Sequence, residues 1–123
     1  MIRIHVLIIS LISGICSVAT APAARADDTV TYEVVSHDIA AANVEYFDLS
    51  GRKALEQVPL PFRINATVVD PRSDDAEVRA DWPLAHGASR WVTVRIYFRG
   101  SLFCENTLDV GSATCWGTAR PIR

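Results

Sequence analysis

The chain has little of what chemistry at a site usually requires. Its three histidines, His5, His37 and His86, lie far apart, and no His-x-x-x-His or Cys-x-x-Cys pair offers metal-ligand spacing. No Gly-x-Ser-x-Gly elbow aims a serine nucleophile. The six glycines do not gather into a phosphate-cradling loop. Lys and Arg are scattered, which excludes a polyanion-binding face built on counterion release, so no nucleic acid partner is expected. No stretch carries the apolar period of an amphipathic helix, and Ala40-Ala41-Ala42 suffices for one turn at most. There are no repeats and no low-complexity tract. His37 beside Asp38 has no serine partner in a suitable context. Asp70, Asp74 and Asp75 have the oxygen chemistry of a Ca²⁺ loop, but a solvated acidic loop is the simpler reading. No catalytic residue, cofactor or metal site is expected, and the chain does not read as an enzyme.

What is there begins with a leader. Met1-Ile2-Arg3 is a short basic start, residues 4–18 are almost wholly apolar, and Ala24-Arg25-Ala26 supplies an A-x-A site before Asp27. That order reads as a signal peptide over 1–26, followed by one domain over 27–123. The rival reading is an uncleaved membrane anchor, because the uncharged run from Ile4 to Ala24 is just long enough to span a bilayer. Cys16 follows Ile15 where a lipobox needs a small residue. Removal of Arg3 and Arg25 leaves ten basic residues against all 14 acidic ones, a net charge of −4. Localisation outside the cytoplasm follows, as a secreted, periplasmic or envelope protein, with a membrane-anchored form as the alternative.

Residues 30–34 and 44–48 alternate apolar and polar side chains, and Ser50-Gly51 supplies a turn. Residues 53–58 are mixed, and Pro59-Leu60-Pro61 ends them. Alternation resumes at 62–69, 76–82 and 91–98, with Val92, Val94, Ile96 and Phe98 on one face of the last. Arg99-Gly100 turns the chain, 101–108 returns, and 113–116 makes a short final strand, with a loose tail over 117–123. This predicts an all-β, immunoglobulin-like (Ig-like) antiparallel β-sandwich of about seven strands. Tyr32 and Tyr46 are expected at the core edge, with hydroxyls that reach a partner. Trp91 and Tyr97 fall on the face opposite Val92. They form either a binding surface or a pair covered by the loop over 83–89.

Val30-Thr31-Tyr32-Glu33-Val34, followed by Asn43-Val44-x-Tyr46-x-Asp48-x-x-Gly51, resembles the opening of the MmpS family. These are small mycobacterial membrane proteins that accompany MmpL lipid and siderophore exporters. Leu60-Pro61-Phe62 stands for the family's Leu-Pro-Trp-like step. Val94-Arg95-Ile96-Tyr97-Phe98-Arg99-Gly100 stands for its Cys-Arg-Ile-x-Val-Asp-Gly strand, and Glu105-Asn106-Thr107, Gly111 and Cys115 complete the match. The likeness covers most of residues 29–116. It departs where Val94 replaces the family's first cysteine and in the cleavable N-terminus. The resemblance implies a non-enzymatic accessory domain assisting export through an MmpL-type transporter. The alternative is a free secreted sandwich that binds a small apolar or lipidic ligand, or another protein.

Two cysteines survive maturation, and an even pair in an exported chain reads as a disulfide, Cys104 with Cys115. It replaces the family's bridge at a neighbouring place. A two-residue Arg99-Gly100 loop pairs Phe98 with Ser101 and sets Cys104 opposite Arg95. A three-residue loop ending at Gly100 pairs Val94 with Cys104, and of the two only this puts Cys104 on the apolar face. The bridge then requires the last strand to adjoin the returning strand or to cross the sheet end.

Overall fold

The computed structural model describes residues 28–85 and 88–118. Within them the period-two patterning becomes eight strands: β1 (Asp28–Val35), β2 (Ala41–Asp48), β3 (Gly51–Pro59), β4 (Phe62–Val68), β5 (Glu77–Asp81), β6 (Val92–Phe98), β7 (Ser101–Leu108) and β8 (Ser112–Trp116). In β6, Val92, Val94, Ile96 and Phe98 are buried and the residues between them are not, because successive side chains leave opposite faces of a strand. β1 does the same with Val30, Tyr32 and Val34. Ala41 and Ala42 belong to β2 and not to a helical turn.

The strands form two antiparallel sheets, ordered β4-β1-β6-β7 and β3-β2-β5-β8. Their inner faces share one apolar core. This is the all-β sandwich that the alternation predicts, with eight strands. Only β2–β3 and β6–β7 are joined within one sheet; every other connection crosses between layers. β1 and β2, consecutive in the chain, lie in opposite sheets.

Three local expectations are corrected. The β2–β3 loop is Leu49-Ser50, and Gly51, at φ +106°, already opens β3 opposite Asp48. At the β6–β7 turn Arg99 and Gly100 both have positive φ, 51° and 78°, as a two-residue hairpin turn of this hand requires. Phe98 accordingly pairs with Ser101, but the register then slips by one at Phe103, so Cys104 faces Ile96. Neither the Arg95 nor the Val94 pairing forms; a bulge, which adds one unpaired residue, moves Cys104 to the apolar face. The tail is not loose at its start. Gly117 N–H donates to the Ala76 carbonyl at 2.9 Å, and a Cβ there would overlap the Pro71 and Ser73 carbonyl oxygens. Thr118 donates to Asp74 Oδ1. The leader over 1–26, Cys16, His86 and the rest of the tail lie outside the described residues.

Candidate functional site

The positions that carry the family resemblance turn out to build the fold. Tyr32 is fully buried at the centre of the core, not at its edge. Its hydroxyl donates to the Phe47 carbonyl of β2 at 2.8 Å and accepts the Glu77 N–H of β5 at 3.1 Å. One side chain of the first sheet thus ties two strands of the second. Burial pushes its phenol well above the ordinary range. Tyr46 packs on Tyr32 and Phe62, with ring centroids 5.6 and 6.3 Å away. Asp48 Oδ1 accepts from both the hydroxyl and the N–H of Ser50 at the hairpin turn, and these bonds hold its carboxyl below the usual value. Pro61 follows a cis peptide bond between layers, and Gly100 shapes the β6–β7 turn.

Arg95 belongs to a charge ladder that crosses the whole outer face of the β4-β1-β6-β7 sheet. Arg63, Glu33, Arg95 and Glu105 stand side by side in directly opposed pairs on β4, β1, β6 and β7. The three contacts are 2.8, 2.8 and 2.6 Å. Burial alone would raise Glu33, but hydrogen bonds from Arg95 and Arg63 hold its carboxyl below the ordinary value. Glu105, then Glu33, raise Arg95 in turn. The polar parity of these four residues is legible in the sequence; their alignment in one row depends on strand order.

One side of the sandwich is closed. Cys104 of β7 and Cys115 of β8 form the expected disulfide, Cα atoms 5.7 Å apart. Because β7 and β8 end different sheets, the bond joins the layers. Cys115 Sγ lies 3.5 Å from the Val94 carbonyl oxygen, beside the strand position where the MmpS pattern has its first cysteine. Asn106 adds a second cross-layer tie, donating from Nδ2 to the Thr114 carbonyl at 2.6 Å. Sequence reasoning saw Asn106 only as part of a motif step.

Trp91 and Tyr97 do not form one patch. They stand six residues apart along one strand direction, roughly 20 Å at the strand rise. Trp91 is 48% exposed, so it is not a covered side chain. Its N–H donates to Asp38 Oδ2 and its carbonyl accepts from Ser36, which commits Asp38 to holding the start of β6. Tyr97 is half-buried beneath the Arg63 guanidinium, 5.4 Å from its ring centroid. Trp91 instead lies at the end of the sandwich where Val92 pairs with Leu108, near the exposed Val110 and the exposed Leu84 beside Gly111. Asp70 Oδ1 accepts from the Arg72 N–H. Among the described residues no three metal-ligating side chains converge.

The opposite side is open. Leu55 and Val58 of β3 pair with the buried Val44 and Ala42, so they lie on the inner face. Yet Leu55 is 37% exposed, as are its neighbours from Arg52 to Gln57 in greater or lesser degree. An inner side chain is exposed only where the opposing sheet stops short. β4 packs over β2, and β2 is the one strand β3 packs against extensively. β3 therefore projects beyond β4 as a ledge. The two-layer sandwich therefore has one stapled side and one stepped side. Neither a family model nor a curated protein matches the chain.

Proposed function

We propose that the chain is a non-enzymatic, exported accessory domain of a cell envelope, resembling MmpS, which assists an MmpL-type transporter in moving lipids or siderophores. The observation that supports this reading is the bridge. It brings Cys115 Sγ to 3.5 Å from the carbonyl oxygen of Val94, the position that stands for the family's first cysteine, and its formation suits an oxidising compartment. The test is the intact mass and cell fraction of the native protein, with crosslinking in intact cells. Recovery of the protein in the cell-envelope fraction, crosslinked to an MmpL-type transporter, is the expected result. A mature chain beginning at Asp27 and free in the medium overturns it.

That second outcome belongs to the alternative, a secreted sandwich binding an apolar ligand or another protein. The exposed Leu84, Trp91 and Val110 favour it. Leu84 packs close to Gly111, whose Cβ would stand 3.4 Å from the leucine Cγ, and Trp91 precedes Val92, which pairs with Leu108 two residues before Val110, so these side chains lie at one pole.

A further inference from the structure

We propose that the free edge of β4 is a strand-addition site that takes an extended peptide segment of a partner protein with alternate apolar residues. The inference rests on reading the chain as an interaction domain, though not on which transporter or ligand it serves.

β4 ends its sheet, with β1 on one side only. The Thr67 carbonyl accepts the Leu49 N–H at 3.0 Å from outside that sheet, so Thr67 directs its backbone groups to the open side. Alternate residues of an antiparallel strand share that orientation. Arg63 and Asn65 therefore present N–H and C=O groups outward, and among the described residues no strand receives them. Their side chains fold back over their own sheet, onto Glu33 and Thr31, and leave the edge clear. Leu49 closes the edge at Thr67, and the turn at Pro61 closes the other end. Most edges are blunted by a proline, a bulge or an inward charge; β4 has none of these between Phe62 and Ala66.

The ledge beneath specifies the rest. Strands in a sheet are about 4.8 Å apart, so a strand added to β4 would lie over β3. Its inward side chains would meet Phe62 and Ile64 above, and Leu55 and Val58 below. Lys53 pairs with Tyr46 on that same inner face and is exposed, which favours an acidic residue at that end of the peptide. A lipid would leave the row of backbone donors and acceptors unsatisfied. A second copy paired β4 to β4 about a two-fold axis would bring its own ledge into the space β2 fills. An extended peptide satisfies both the edge and the ledge.

The test uses the oxidised, exported protein and a synthetic alternating Asp-Thr-Val-Thr-Val-Thr-Val peptide, whose Asp and Val share one face, followed by ¹H–¹⁵N spectra and hydrogen exchange. The Arg63 and Asn65 amides are expected to shift and to exchange more slowly. Asn65→Pro removes one outward N–H, which an edge strand tolerates, and is expected to weaken the peptide about tenfold, a difference of about 1.4 kcal/mol. Asn65→Ser keeps the backbone donor and is expected to bind like the parent. If Asn65→Pro does not fold, Leu55→Asp takes its place with the same expected loss. Shifts confined to β3 or to the Leu84 pole, self-association of the protein without peptide, or equal affinity of parent and edge variant each overturn the proposal. None of these outcomes alters the fractionation result, so the two readings fail separately.

Discussion

Tyr32 and Glu33 are neighbours in sequence and do opposite work, one inside the sandwich and one outside it. The Tyr32 hydroxyl holds Phe47 and Glu77 of the other sheet, so Tyr32→Phe leaves a part-buried carbonyl and a part-buried N–H without their partner. A buried group left unsatisfied costs about 1–3 kcal/mol, and urea denaturation of the Phe variant is expected to show a loss in that range with native strand content retained. Glu33 is held charged by Arg95 and Arg63. Its folded carboxyl therefore lies below its ordinary value of 4.5. A depressed carboxylate contributes stability that is present above the unfolded value and is lost as pH falls through the folded one. Stability is thus expected to decline as pH drops below 4.5, and Glu33→Gln to flatten that decline. A Gln variant with the parent's full acid slope would show that other carboxylates carry it. The sequence shows the polar parity of Glu33. It does not show that both arginines flank it, because neither lies within 25 residues on the chain, and only strand order places Arg63 on one side and Arg95 on the other.

At the scale of elements, the β7–β8 closure rests on one register slip. Without the extra residue at Phe103, the two-residue turn would aim Cys104 at the Arg95 face, away from Cys115. Bulge and disulfide are therefore one device. Closing a loop of this separation, 11 residues, stabilises by about 2–3 kcal/mol on the chain-entropy account. Cys104→Ser/Cys115→Ser is expected to lose that amount by thermal or chemical denaturation and to free β8 first. An unchanged melting temperature would assign the closure to Asn106 and the core instead. The β6–β7 turn was readable from Gly100, which takes a positive φ, whereas Gly51 placed the β2–β3 turn one residue late; the bulge was not readable, because no residue at 101–104 demands a special conformation.

Taken as a whole molecule, the sandwich has a stapled side and a stepped side, and its stability should be graded between them. Strands in the middle of each sheet are paired on both sides, whereas β3 is paired with β2 alone and exposes most of its residues. Local opening follows such differences. Amide exchange is expected to be slowest in β1, β6, β2 and β5 and fastest in β3; a β3 as protected as β6 would mean that something covers the ledge. The sequence by itself determined most of the strands and their buried faces, because the two-residue period and turn preferences act between neighbours on the chain. It also carried the mixed pattern of 53–58 without its reason, which is that an overhanging strand has no dry face to select apolar residues. Only the tertiary structure decided which strands are neighbours, which layer each joins, and hence the charge ladder, the hydroxyl of Tyr32 between sheets, the place of the disulfide and the open edge of β4. Those depend on contacts between distant segments. A short connection such as 36–40 leads across the layers while 49–50 folds back within one, and the difference is settled by which packing buries Val30, Tyr32, Val44 and Val94 together.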